Sequence, residues 1–162
     1  MTPAEKRFAK TVTVYKSDKF ISIETLSGVP GLNYRENESH PTYLDATAAN
    51  EMLGEALLAA LDRSRFIRDK EFLAAERAMR LYIAWKKEFA RRNGFETVRH
   101  GFRKVDWCMV KIRDGNMIME PHRRDKPASW RLLPPEKTVV IPYTRDVVVV
   151  GAALREALNR CE

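Results

Sequence analysis

The sequence predicts an α/β protein of the α+β type: a largely antiparallel mixed β-sheet with about three α-helices packed on it. Three observations carry that prediction. Two stretches read as β-hairpins, TVTVYKSDKFISIETL at 11–26 and VDWCMVKI at 105–112 followed by MIMEPH at 117–122. The second pair flanks Arg113-Asp114-Gly115-Asn116, and Asp-Gly between apolar runs is a strong hairpin signal because both turn positions tolerate positive φ. Finally, LGEALLAALDRSR at 53–65 and VGAALREALNRCE at 150–162 space their leucines for one face of a helix.

The elements follow in order. Val12, Val14, Phe20, Ile21 and Ile23 supply strand-forming residues around the polar turn Lys16-Ser17-Asp18-Lys19. Segment 27–44 holds two glycines and two prolines, which break helices, so it reads as a loop with room for one short strand. Asp45 or Thr47 is placed to cap a helix running to about Arg65, with Leu53, Leu57 and Leu61 on one face. A second helix is expected from Asp69 to Asn93, stopped by Gly94, with Phe72, Ala75, Met79, Tyr82, Ile83 and Phe89 sweeping its apolar side. Arg77, Arg80, Lys87 and Arg91 fall within about 80° on the opposite side at 100° per residue.

Segment 123–137 contains three prolines and reads as a loop interrupted around Trp130–Leu133, and 138–141 reads as a buried strand. Thr144 or Asp146 then caps the last helix, where Val147, Val150, Leu154, Leu158 and Cys161 share a face. Four consecutive valines there favour strand, but the spacing and the cap outweigh propensity.

With 162 residues, one domain over 1–162 is expected, long enough to bury a core without a disulfide or metal staple. The N-terminal segment carries charge with no apolar run behind it, and VVVVGAAL is too short to span a bilayer, so a cytoplasmic location is expected. Two cysteines, Cys108 and Cys161, then read as free thiols. A net charge of +7 favours an anionic partner of some kind.

The two leucine-rich segments are identical at six of thirteen positions, among them Gly54/Gly151, Leu57/Leu154 and Leu61/Leu158. Their flanks do not match in sequence, so convergence on a good amphipathic helix is the simpler reading.

Catalytic signals are sparse. The glycines form no phosphate loop, the acidic residues keep no metal-ligand spacing, and no serine sits in a nucleophile elbow, so no cofactor or metal is expected. Among three histidines, His100 and His122 flank the second hairpin near Arg99, Arg103, Arg123 and Arg124. That set suits a metal-free ribonuclease or RNA-binding protein, one histidine acting as base and the other as acid. The alternative is an inert scaffold whose exposed arginines and aromatics make a protein interface. On that reading the contact residues are Arg113 and Asp114 at the hairpin tip, His122, Arg123 and Arg124 at its end, and Trp130 beyond it.

KSDKFISIETLSG at 16–28, DATAANEMLGEALLAALDRSR at 45–65, the central strand pair with its charged turn and VGAALREALNRCE at 150–162 together resemble the CdiI immunity proteins of bacterial contact-dependent growth inhibition. The resemblance spans nearly the whole chain. It implies a cytoplasmic protein with no reaction of its own. Its partner would be the C-terminal toxin domain of a CdiA effector, commonly a nuclease, whose active site it covers or distorts. Binders of basic nucleases are often acidic because opposite potential steers encounter. A charge of +7 therefore calls for an acidic surface on the toxin or a locally acidic face here, for which Glu36 and Glu38 are candidates.

Overall fold

The computed structural model describes every residue except 37–39, 96, 98–101, 103, 127 and 128. Helix α1 (Pro3–Arg7) precedes β1 (Thr11–Lys16), β2 (Phe20–Val29), β3 (Leu32–Tyr34), β4 (Thr42–Asp45) and the helices α2 (Asn50–Arg63) and α3 (Ala75–Arg92). Then come β5 (Asp106–Arg113), β6 (Asn116–Lys126), β7 (Ser129–Leu132), β8 (Val139–Pro142) and α4 (Val147–Asn159). The eight strands form one sheet in the order β3-β2-β1-β5-β6-β7, with β4 beside β2 and β8 beside β6. Every pairing within it is antiparallel.

Both hairpins form as the sequence predicts, and Asp114 and Gly115 take φ of 50° and 75° in the second turn. Side chains alternate across each strand. Val12, Val14, Ile21, Ile23, Cys108, Val110, Met117 and Met119 face inward against α2 and α4 and make the main core. Both cysteines are free thiols, Cys108 buried and Cys161 half-buried.

Several boundaries differ from the sequence reading. α1 is an additional helix, started by a capping box in which Thr2 and Glu5 bond each other's backbone amides. The 27–44 loop yields two short strands, and β6 continues to Lys126 because β7 pairs with it. Neither Asp45 nor Thr47 caps α2. Asp45 accepts from the Thr47 amide and hydroxyl in a tight turn, and Ala49 stands at the cap without a side-chain bond. α3 begins at Ala75 because Asp69 spends its carboxylate on the amides of Glu71 and Phe72 in a separate turn. Asp146 does cap α4, accepting from Val148 and Val149.

The repeated helix belongs to a larger duplication. β1, β2, β3, β4 and α2 have counterparts in β5, β6, β7, β8 and α4, in the same order and register. The pairs Phe20↔Asp45 and Ile23↔Thr42 correspond to Asn116↔Pro142 and Met119↔Val139, a displacement of 96 or 97 residues. Likewise Val14↔Ile23 corresponds to Val110↔Met119. α2 and α4 meet reciprocally: the space of a Gly54 Cβ is taken by the Val147 carbonyl, and that of a Gly151 Cβ by the Asn50 carbonyl. Even the helix ends agree, since Ser64 bonds the backbone of Thr11 and Cys161 that of Trp107. The shared Gly, Ala and Leu positions are therefore what a two-fold-like helix pair requires. α3 stands between the halves and has no counterpart among the described residues of the second.

Candidate functional site

α3 lies over the outer face of the sheet and is held there by rings. Tyr15, near the C-terminal end of β1, packs 4.5 Å from Trp85 and 5.7 Å from Phe89. Trp107 of β5 stacks parallel to Tyr15 at 6.0 Å. Two ring nitrogens lock this layer: Trp107 donates to the Thr13 hydroxyl at 2.7 Å and Trp130 to the Val105 carbonyl at 3.1 Å. Aromatic side chains are long, so α3 stands off the sheet and leaves a cleft of about 460 Å³. Tyr34, Met79, Tyr82, Trp107, Met109 and Trp130 line it.

One buried ion pair supports the cleft. The Arg35 guanidinium lies 2.5 Å from the carboxylate of Glu24, the two side chains being 14% and 4% exposed. Arg35 also covers the Trp85 ring at 4.3 Å. Burial disfavours its charge, but Glu24 and Tyr15 more than offset this and raise its pKa. Burial likewise raises the Tyr15 phenol, against the pull of Arg35 and Thr13. Both groups keep their ordinary charge at neutral pH, positive on Arg35 and none on Tyr15.

The residues predicted for the interface are scattered over this surface. Arg113 and Asp114 are exposed at the hairpin tip. Trp130 is half-buried and lines the cleft. Arg124 sits opposite Trp130 across β6 and β7 and reaches Asp106 at 3.7 Å. Arg123 lines a separate hollow with Leu132, Leu133, Pro134, Lys137 and Glu162. His122, expected at the surface, is buried and stacks on Trp107 at 3.9 Å, with Nδ1 3.0 Å from the Glu120 carbonyl. Its acid–base partner in the ribonuclease reading, His100, lies outside the described residues, as does Glu38. Glu36 is engaged by Arg65 at 2.8 Å and by the Ser27 hydroxyl at 2.7 Å. On α3, Arg77 leaves the expected basic stripe: it is buried over Phe72 and donates to the Arg35 carbonyl.

Burial depresses the His122 pKa, Lys111 adds to this, and the Glu120 carbonyl opposes it. The unfolded chain then binds the proton more readily than the folded one, so stability is full above the ordinary histidine pKa and declines as pH falls through it. Melting midpoints taken from about pH 7.5 to about pH 5.5 should fall, and His122→Gln should remove part of that fall. Equal slopes in the two proteins would assign the pH dependence elsewhere.

These features define the class: a duplicated α+β sheet, backed by a helix pair on one side and hollowed into a preformed cleft on the other. The family model of the CDI immunity proteins, CdiI, matches residues 10–161, and the chain belongs to that family. Two solved structures share the fold. A protein of unknown function from Neisseria meningitidis superposes with a TM-score of 0.87 at 24% identity, covering 100% of both chains. A CdiA-CT/CdiI toxin and immunity complex from Yersinia pseudotuberculosis gives 0.88 at 22% identity, covering 96% of this chain and 98% of that one. No curated protein matches the chain. Among the described residues, no helix is long and apolar enough to cross a membrane.

Proposed function

We propose that this chain binds and neutralises the C-terminal toxin domain of a CdiA effector in the bacterial cytoplasm, by covering the active site of a nuclease and with no reaction of its own. The observation that carries the reading, beyond family membership, is the preformed aromatic cleft. Its rings are fixed by hydrogen bonds and stacking, so little side-chain entropy is lost on binding. Aromatic anchors in a water-poor hollow are where interface energy concentrates. Trp130 is the proposed anchor, with Arg124 beside it and Arg113 and Asp114 at the far end of the same strand pair. His122 contributes from below by holding Trp107, and Arg123 extends the contact around the edge of β6. The relative solved with its toxin supports the assignment by its fold.

The test looks beside this gene for a CdiA-type reading frame and uses its C-terminal toxin domain. Co-expression should restore growth, and an inactivated toxin domain should elute with this protein as one complex. Met79→Glu should weaken the complex at least about tenfold, because Met79 is exposed in the cleft and the new charge would be desolvated on binding. Its melting temperature should stay near that of the wild type. Continued cell death on co-expression, or separate elution, would end the reading.

A further inference from the structure

Resting on that reading, we infer that the toxin domain places an acidic side chain in a basic pocket adjoining the cleft on the outer face. The pocket, of about 290 Å³, is framed by Arg7, Lys111 and Arg113, and no acidic side chain lines it. It shares Leu26, Asn33 and Met109 with the cleft, so the two form one continuous surface, apolar at one end and cationic at the other.

The three cations differ in what occupies them. Lys111 is held 2.8 Å from Glu120. Arg7 and Arg113 are exposed and enter none of the ion pairs among the described residues. A concave wall of low polarisability focuses the field of such charges and favours an anion there. At the junction of the two hollows the Asn33 side-chain oxygen is buried with no hydrogen-bond donor among the described residues, while its nitrogen donates to Thr11.

The duplication explains why this ground is open. In the first half, α3 covers Tyr15 and Phe20 through Phe89. The strand register makes Lys111 and Asn116 their counterparts, and among the described residues the second half has no helix in the place α3 takes in the first. Ile118 and Val140 pair on that outer face, and Val140 is exposed. The net charge of +7, awkward for a binder of basic nucleases, then fits a toxin whose contacting segment is acidic.

The experiment measures binding of the inactivated toxin domain to wild type, to Arg7→Glu/Arg113→Glu, and to Arg63→Glu as an exposed control on α2. Charge reversal should weaken binding about 30-fold or more at low salt and flatten the salt dependence, with the control unchanged. An acid-to-lysine change in the toxin should then restore binding to the reversed variant. Wild-type affinity in the double variant, with Met79→Glu still defective, would overturn the pocket and leave the immunity reading standing. Loss of RNA binding in the double variant with toxin binding intact would also overturn it. No binding by wild type would overturn the immunity reading and this inference with it.

Discussion

Gly151→Ala should lower the melting temperature by roughly 5 °C, and Gly54→Ala by a comparable amount. A Cβ at Gly151 would stand 1.7 Å from the Asn50 carbonyl oxygen, and one at Gly54 1.9 Å from that of Val147. Both obstacles are backbone at the first residue of a helix, so neither can swing aside as a side chain tip could. The helices must separate, and the buried leucines between them, Leu53, Leu57, Leu154 and Leu158, lose contact together. Overpacking of this kind costs about 1–3 kcal/mol and occasionally more. Alanine returns up to about 1 kcal/mol through its better helix propensity, which is too little to reverse the sign. Because either methyl pushes the same two helices apart, the double variant should lose less than the sum of the singles. Thermal and urea unfolding of all three decide the matter, and a single variant as stable as wild type would show that the contact is not close.

The elements legible in the sequence are those written by local chemistry. Asp-Gly announced the β5–β6 turn, and Asp146 announced α4 against a run of valines. The capping box Thr2–Glu5 that starts α1 is equally local chemistry, written in the Thr-Pro-Ala-Glu run. The duplication was visible in the helices alone, because close packing demands Gly, Ala and Leu at fixed places. The strands conserve alternation and register instead, so Phe20 can correspond to Asn116 without resemblance. α3 ends where the sequence places it but starts six residues later, and its buried face differs: Met79 and Ile83 are exposed while Trp85 and Arg77 are buried. Its seat is a row of upright rings, which rewards aromatic reach and guanidinium stacking rather than an aliphatic stripe. In the cleft, Trp130 stood out as a candidate, whereas Tyr15 and Trp107 read as ordinary strand residues. The pairing of Glu24 with Arg35 from a glycine-rich segment left no sequence signal, since it depends on how β2 and the loop after β3 fold back.

Arg35→Met should destabilise the protein by about 3–5 kcal/mol, the range for removing one partner of a buried ion pair. The carboxylate of Glu24 is 4% exposed and lies 2.5 Å from the guanidinium, so the variant leaves a charge in the interior without its compensating cation. Methionine occupies similar volume, which separates the electrostatic loss from a cavity. Replacing both residues, as Glu24→Leu/Arg35→Met, should recover most of the stability, because an apolar pair no longer asks for compensation. Arg35→Lys should fall between, keeping the charge but losing the planar contact with Trp85 at 4.3 Å. Denaturant midpoints for the four proteins test the order, and a single Arg35→Met variant as stable as the double would mean the pair contributes only packing. Arg35 also lines the cleft, so toxin affinity should track its loss of stability. Met79→Glu should weaken binding while leaving the fold intact. The two variants together separate a cleft that must be rigid from one that must merely be apolar.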